Sequence, residues 1–228
     1  MVNKLYYNTL KPLLLNVLKE LMAAREFDAF RLIGGTALSL YRGHRESADI
    51  DLFSDAPYDS IDFAAIDAFL HNTYSYVDTT KFNVVGMGKS YFIGRTKDDC
   101  VKLDLFYTDR FIQEIILING IRLATIEEIV AMKIDVISRG GRKKDFWDIH
   151  ELKDDYSIEK MLALHKQRYP HTPDQMEIKN SFSDFTLADD DFDPICLKGK
   201  HWEIVKLDII DFAGYDYLPE YYRKSEFL

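Results

Sequence analysis

The chain has 228 residues, 47% of them hydrophobic, which is enough to bury a core and excludes wholesale disorder. Its formal net charge of −9 argues against a surface built to coat nucleic acid. No apolar run reaches the roughly 18–20 residues of a membrane span. The N-terminal segment lacks a signal-peptide pattern, and the two cysteines lie far apart without metal-ligand spacing. We therefore expect a cytoplasmic protein with reduced thiols and no membrane association.

The first 124 residues alternate short helical and β-rich segments. The predicted helices are 9–26, 36–43, which Gly43 ends, and 60–72, which Ser60 caps. The predicted β-rich segments are 29–35, 48–53, 74–80, 81–88, 90–96, 100–107 and a pair within 114–124 that turns at Asn119-Gly120.

From Thr125 onward the pattern changes to helices, and Thr125 and Glu128 have the spacing of a capping box. The predicted helices are 125–139, 143–153, 157–169 and a segment near 200–212. The sequence therefore predicts an α+β fold, with a mixed-sheet core over 1–124 and a mainly helical part over 125–228 that completes the active-site cleft.

Two aspartates occupy alternate positions in the segment "ADIDLF". Because residues i and i+2 of a strand point to the same side, Asp49 and Asp51 share one face while Ile50 and Leu52 share the other. Two carboxylates this close repel each other unless a cation offsets their charge. Mg²⁺ does so well, since it accepts carboxylate, phosphate and water oxygens.

A second segment, "CVKLDLF", repeats this arrangement and turns Asp104 away from its apolar face. If the two segments are neighbours in one sheet, Asp49, Asp51 and Asp104 converge. Three such carboxylates are the ligand set of a two-metal site for phosphoryl or nucleotidyl transfer.

The turn Gly34-Gly35-Thr36 precedes a predicted helix. Glycine lets a backbone approach a ligand closely, and the N–H groups at a helix N-terminus bind phosphate. The hydroxyl of Thr36 could add a further donor. The simpler alternative is a tight turn with Thr36 as the helix cap, beside an exposed pair of aspartates.

Lysine 133 interrupts the apolar stripe of the helix predicted over 125–139. It either extends to water or faces a polar cleft and binds anions. Asp145 lies in the first turn of the next helix, where an acidic residue is favourable for electrostatic reasons alone. Two clusters of basic residues stand out: Arg139 to Lys144, which could contact an RNA backbone, and the smaller group Arg42, His44 and Arg45.

Taken together, "GGTALSLYRGHRESADIDLFS", "VKLDLF" and "AMKIDVISRGGRKKDFWDIHEL" resemble the AbiEii/AbiGii nucleotidyltransferase toxin family of the polymerase-beta-like superfamily. The resemblance covers about residues 28–155 and implies an enzyme that uses Mg²⁺, as two ions, to transfer a nucleotide from an NTP to an acceptor. It also implies that Gly35 and Thr36, beside Gly34, hold the triphosphate. It further implies that Asp49 and Asp51 bind metal and that Asp104 serves as the third carboxylate or general base. Lys133 matches the family's later lysine, and Asp145 and Asp148 match its "KDxxD" motif.

Relatives in this family include toxins that modify the tRNA acceptor end and are neutralised by an antitoxin, so a tRNA acceptor and an antitoxin partner are implied expectations. Two alternatives stay open at this point. One is a small-molecule nucleotidyltransferase of the antibiotic-modifying kind, and the other is a non-catalytic binding module that retains the nucleotide fold.

Overall fold

The structure is a computed structural model that describes residues 4–79, 86–172 and 174–214. The chain divides into two compact units, Met1–Ile129 and Val130–Leu228. Within the described residues, no helix combines the length and the apolarity needed to cross a bilayer.

A seven-stranded mixed sheet forms the centre of the first unit. Its strands are β1 (Arg31–Leu32), β2 (Asp49–Ser54), β3 (Tyr76–Thr79), β4 (Gly88–Thr96), β5 (Asp99–Tyr107), β6 (Ile116–Ile118) and β7 (Ile121–Leu123). The spatial order is β3-β4-β5-β2-β1-β7-β6. The β2–β5 and β1–β7 pairs are parallel and the other pairs are antiparallel. The sheet confirms the predicted mixed α+β class, and part of the segment predicted at 81–88 lies outside the described residues.

Three helices accompany the sheet: α1 (Pro12–Ala23), α2 (Gly34–Arg42) and α3 (Phe63–Thr73). Helix α1 packs on β2, β5 and β7. Gly43 ends α2 in a left-handed conformation, as predicted. The cap predicted for α3 is wrong: Asp62, not Ser60, accepts the Ala65 N–H at 2.9 Å. The Ser60 hydroxyl instead donates to the Pro57 carbonyl within the preceding turn.

The predicted hairpin between β6 and β7 is confirmed. Asn119 and Gly120 both have positive φ angles, 52° and 80°. This is the backbone of a two-residue turn that matches the twist of the strands it joins.

The second unit is mainly helical, as predicted. Its helices are α4 (Ile126–Ile137, which begins in the first unit), α5 (Lys143–Leu152), α6 (Ile158–Arg168), α7 (Gln175–Asn180), α8 (Thr186–Asp189) and α9 (Trp202–Phe212). Aromatic rings form much of the core of this unit: Trp202 packs against Phe146, Trp147 and Phe185.

The Thr125 half of the capping box predicted for α4 is confirmed. The Thr125 hydroxyl accepts the Glu128 N–H at 3.1 Å. The Glu128 carboxylate also accepts the backbone N–H groups of Ile112 and Gln113, at 2.8 and 3.2 Å. This buried carboxylate therefore satisfies two backbone donors of the loop that follows β5.

Candidate active site

Strands β2 and β5 lie side by side and run parallel, which confirms the prediction that the two acidic segments are neighbours. The register places Asp51 beside Asp104 and Asp49 beside Lys102. Because Ile50 is fully buried, the alternation of β2 directs both of its aspartates to the opposite, half-buried face. Three carboxylates, those of Asp49, Asp51 and Asp104, therefore face the same side from adjacent strands.

The Lys102 ammonium is a counter-charge within this acidic group. Its Nζ lies 2.5 Å from Asp104 Oδ2. Partial burial lowers the pKa of Lys102, but the hydrogen bond and charge of Asp104, with the charges of Asp49 and Asp51, raise it above its usual value. The other carboxylate oxygen, Asp104 Oδ1, is buried and accepts no hydrogen bond. A buried oxygen left without a donor is costly, and it suits a cation.

Helix α2 begins at the diglycine itself. Gly34 has a φ of +68°, which favours glycine, and a Cβ added there would lie 2.9 Å from Asp51 Oδ2. The Asp51 carbonyl also accepts the Ile33 N–H at 2.9 Å. The N-cap residue, Ile33, has no side chain that could cap the helix, and the turn at Gly34 places the first turn of α2 beside the Asp51 carboxylate.

Thr36, expected to offer its hydroxyl to a triphosphate, directs that hydroxyl toward strand β2. The side chain is buried, donates to the Asp49 carbonyl and lies 2.7 Å from Ser47 Oγ. In this structure the hydroxyl fixes α2 against the start of β2. A contact between Thr36 and a triphosphate would therefore have to come from its backbone N–H.

Arg45, which the sequence showed only as part of a small basic cluster, lies beside Gly35 at the start of α2. It is buried and donates to the Glu46 carbonyl at 3.0 Å, and a Cβ at Gly35 would collide with its guanidinium. Arg45 thus fills the space beside Gly35 and brings positive charge to the start of α2. In the sequence, only its position between the diglycine and the acidic strand indicated that Arg45 could lie near the site.

Within the second unit, Lys133 forms a buried ion cluster. Its Nζ lies 2.6 Å from Asp145 Oδ1 and 2.7 Å from Asp148 Oδ2, and all three side chains are at most 8% exposed. Asp145 Oδ2 also accepts the Arg142 N–H at 3.0 Å, at the start of α5. Burial raises the pKa of Asp145, but the charge and hydrogen bond of Lys133 bring it below the usual value. Lys133 therefore does not extend to water.

Two cations of the larger basic cluster are already neutralised in the second unit. Arg139 forms an ion pair with Asp135 one helical turn away. Lys143 is buried, with Nζ 2.8 Å from Asp193 Oδ1. This pairing weakens the expectation that the Arg139–Lys144 cluster is a free RNA-binding surface.

A family model described as nucleotidyl transferase AbiEii toxin, Type IV TA system, matches residues 16–209. The chain belongs to the AbiEii nucleotidyltransferase toxin family. The match confirms the resemblance seen in the motifs and extends it well beyond residue 155. By class, the protein is a nucleotidyltransferase.

One protein is similar to this AbiEii protein in sequence, and two solved structures share its fold at low sequence identity. The uncharacterized protein aq_aa25 of Aquifex aeolicus (strain VF5) is 31% identical over 147 residues, which span 61% of this chain and 66% of that protein. MenT4, the nucleotidyltransferase toxin Rv2826c of Mycobacterium tuberculosis H37Rv, aligns with a TM-score of 0.54 at 13% identity, covering 92% of this chain and 86% of its own. JHP933 of Helicobacter pylori aligns with a TM-score of 0.52 at 19% identity, covering 89% and 88%.

The donor chemistry of the AbiEii site fits Mg²⁺, but the predicted three-carboxylate ligand set is not assembled. Across the described ranges, no three His, Cys, Asp or Glu side chains are arranged to hold an ion as they stand. The Lys102 ammonium, bound to Asp104 Oδ2, offsets the mutual repulsion that a metal would otherwise have to offset. The fit is to a site that substrate oxygens and waters complete, as is usual for Mg²⁺.

A cavity of about 430 Å³ lies elsewhere in the first unit. It is lined by the start of α1, Ala48 and the β4–β5 turn, including Arg95 and Cys100. Its lining includes none of the predicted site residues.

The contact between Gly34 and Asp51 leads to a testable prediction. Gly34→Ala should lower stability by about 1–2 kcal/mol through its left-handed φ and should also displace the Asp51 carboxylate, reducing transfer. Gly120→Ala is the matched control, because Gly120 has a φ of +80° and no atom within 4 Å of an added Cβ. Urea unfolding and a transfer assay of both variants separate strain from the Asp51 contact. Equal transfer by the two variants would show that this contact has no role.

Proposed function

We propose that this AbiEii-family enzyme transfers a nucleotide from an NTP to a hydroxyl acceptor in a Mg²⁺-dependent reaction. The observation that carries the proposal is the placement of Asp51 beside both Asp104 and the first turn of α2. A carboxylate pair next to helix N–H groups suits the two charged partners of such a reaction, a divalent cation and a polyphosphate.

In the proposed reaction, the acceptor hydroxyl attacks the α-phosphorus of the NTP. A new phosphorus–oxygen bond forms, and the bond to the departing pyrophosphate breaks. Asp104 receives the proton from the hydroxyl, and the backbone N–H groups of Gly35 and Thr36 hold the phosphates. Mg²⁺, held by Asp49 and Asp51 with Asp104, supplies neutralisation of the phosphate charge.

Lysine 133 and Asp145 enter the proposal through the family motif. Their part in transfer rests on sequence resemblance, whereas their pairing with Asp148 is observed. In the proposed arrangement, Asp145 and Asp148 fix the direction of the Lys133 ammonium, and Lys133 supplies positive charge to the triphosphate.

The acceptor we propose is the tRNA acceptor end, and the biological setting is a toxin–antitoxin system. The support is the family description, which names a toxin of a Type IV system, and the fold shared with the MenT4 toxin. An antitoxin is the corresponding partner, and the cytoplasm, where NTPs and tRNA are present, is the proposed location.

A single incubation tests the function. The protein is mixed with Mg²⁺, each α-labelled NTP in turn and total cellular RNA, and the labelled species are separated by size. We expect label in the tRNA fraction with one NTP, abolished by EDTA. Transfer that persists in EDTA would contradict the metal requirement.

A small-molecule acceptor is the second candidate, and the net charge of −9 and the neutralised Arg139 and Lys143 favour it. Salt separates the two candidates, because binding to tRNA phosphates weakens steeply as salt rises and binding of a small acceptor does not. Stabilisation by NTP and Mg²⁺ with no labelled product at all would instead indicate the non-catalytic module.

A further inference from the structure

Lysine 102 differs from the other charged residues on its face, because it is a cation among three carboxylates. Its Nζ lies 2.5 Å from Asp104 Oδ2, and the β2–β5 register places it beside Asp49. Asp49, Asp51 and Asp104 all act electrostatically on it.

The ammonium also accounts for how the carboxylates are arranged. Asp104 directs Oδ2 to Lys102 and leaves Oδ1 buried without a donor. The pairing thus neutralises one oxygen of a carboxylate whose other oxygen is suited to a cation. An ammonium on one oxygen of this carboxylate and a divalent ion on the other would lie close together, and the two cations would repel each other strongly.

We propose that Lys102 is an internal cation that competes with the divalent metal for Asp104. In the proposal, which rests on the function proposed above, Lys102 neutralises the acidic group before the metal binds and releases Asp104 Oδ2 when it does. The Lys102 side chain is 39% exposed, so it has solvent into which to move. Lys102 is therefore a positioning residue that sets the metal affinity and protects the fold from carboxylate repulsion.

The experiment measures Mn²⁺ binding by electron paramagnetic resonance, at fixed pH, with and without a non-hydrolysable NTP analogue. Lys102→Met, which removes the charge but keeps the length, should tighten Mn²⁺ binding about fivefold to tenfold once the competing cation is gone. Its melting temperature without Mn²⁺ should fall, and Mn²⁺ should restore it. Lys102→Arg, which retains the charge, should bind Mn²⁺ no more tightly than the wild type.

Lys89→Met is the matched control, because Lys89 also forms a close ion pair, with Nζ 2.6 Å from Asp67 Oδ2 on the neighbouring helix α3. It should lose stability that Mn²⁺ does not restore, with the Mn²⁺ affinity unchanged. If the wild type binds Mn²⁺ and Lys102→Met binds it equally or more weakly, the role of Lys102 is overturned and the proposed function stands. Absence of Mn²⁺ binding in every variant, even with the NTP analogue, would overturn both.

Discussion

Replacing Asp51 by Asn is expected to reduce nucleotide transfer more than about 100-fold, since a lost metal ligand should exceed the 10–100-fold cost of losing an outer-shell partner. Asp51 is the residue at which the parts of the candidate site meet. It lies beside Asp104 across the strands and against Gly34. Asparagine keeps the shape of the side chain and removes its charge, so the fold should survive. The measurement is label transfer at saturating Mg²⁺ and NTP, with urea unfolding in parallel.

Asp99→Asn is the matched control for this variant. Asp99 begins β5, the strand that carries Asp104, and its exposed carboxylate pairs with Arg95 at 3.4 Å. Since an exposed pair contributes at most about 1 kcal/mol, this variant should retain both stability and transfer. Retention of transfer within a few-fold by Asp51→Asn would contradict the assigned role.

Replacing Lys133 by Met is expected to lower the free energy of unfolding by about 3–5 kcal/mol, the usual cost of breaking a buried ion pair. The change leaves Asp145 and Asp148 buried without their shared ammonium. Urea unfolding at neutral pH measures the effect. The triple variant Lys133→Met, Asp145→Asn, Asp148→Asn should recover much of the loss, because it removes the uncompensated charges.

The same variant has a predicted pH dependence. The folded-state pKa of Asp145 is depressed, because the Lys133 interaction outweighs the effect of burial. Its stabilising contribution is therefore present above the unfolded value of about 4 and is lost as pH falls through the folded value. The stability difference between wild type and Lys133→Met should be largest near neutrality and narrow below about pH 4. A pH-independent difference would show that packing, not charge, accounts for the role of Lys133.

Local patterns predicted much of the fold and the strand pair of the site. Alternation in "DIDLF" and "KLDLF" correctly separated the buried Ile50 and Leu103 from the aspartates, because a side-chain period of two is fixed by strand geometry. The hairpin at Asn119-Gly120 was equally predictable, since its positive φ angles require such residues.

The structure adds contacts that local patterns do not show where distant parts of the chain meet. Thr36 has the spacing of a ligand donor, yet its hydroxyl is used by the Asp49 carbonyl of another element. Glu128 has the spacing of a capping residue, and its carboxylate also accepts loop N–H groups that lie 15 and 16 residues away. The contact between Arg45 and Gly35 was not predictable either, because sequence spacing does not show which side chain fills the space beside a glycine.

The most direct test of the central claim is a double-mutant cycle on Mn²⁺ affinity with Asp51→Asn, Asp104→Asn and the double variant. If both carboxylates bind one ion, each single change should remove most of the affinity, and the double variant should bind little more weakly than either single one. Losses that simply add would show that the two aspartates, although neighbours in the sheet, do not share a metal.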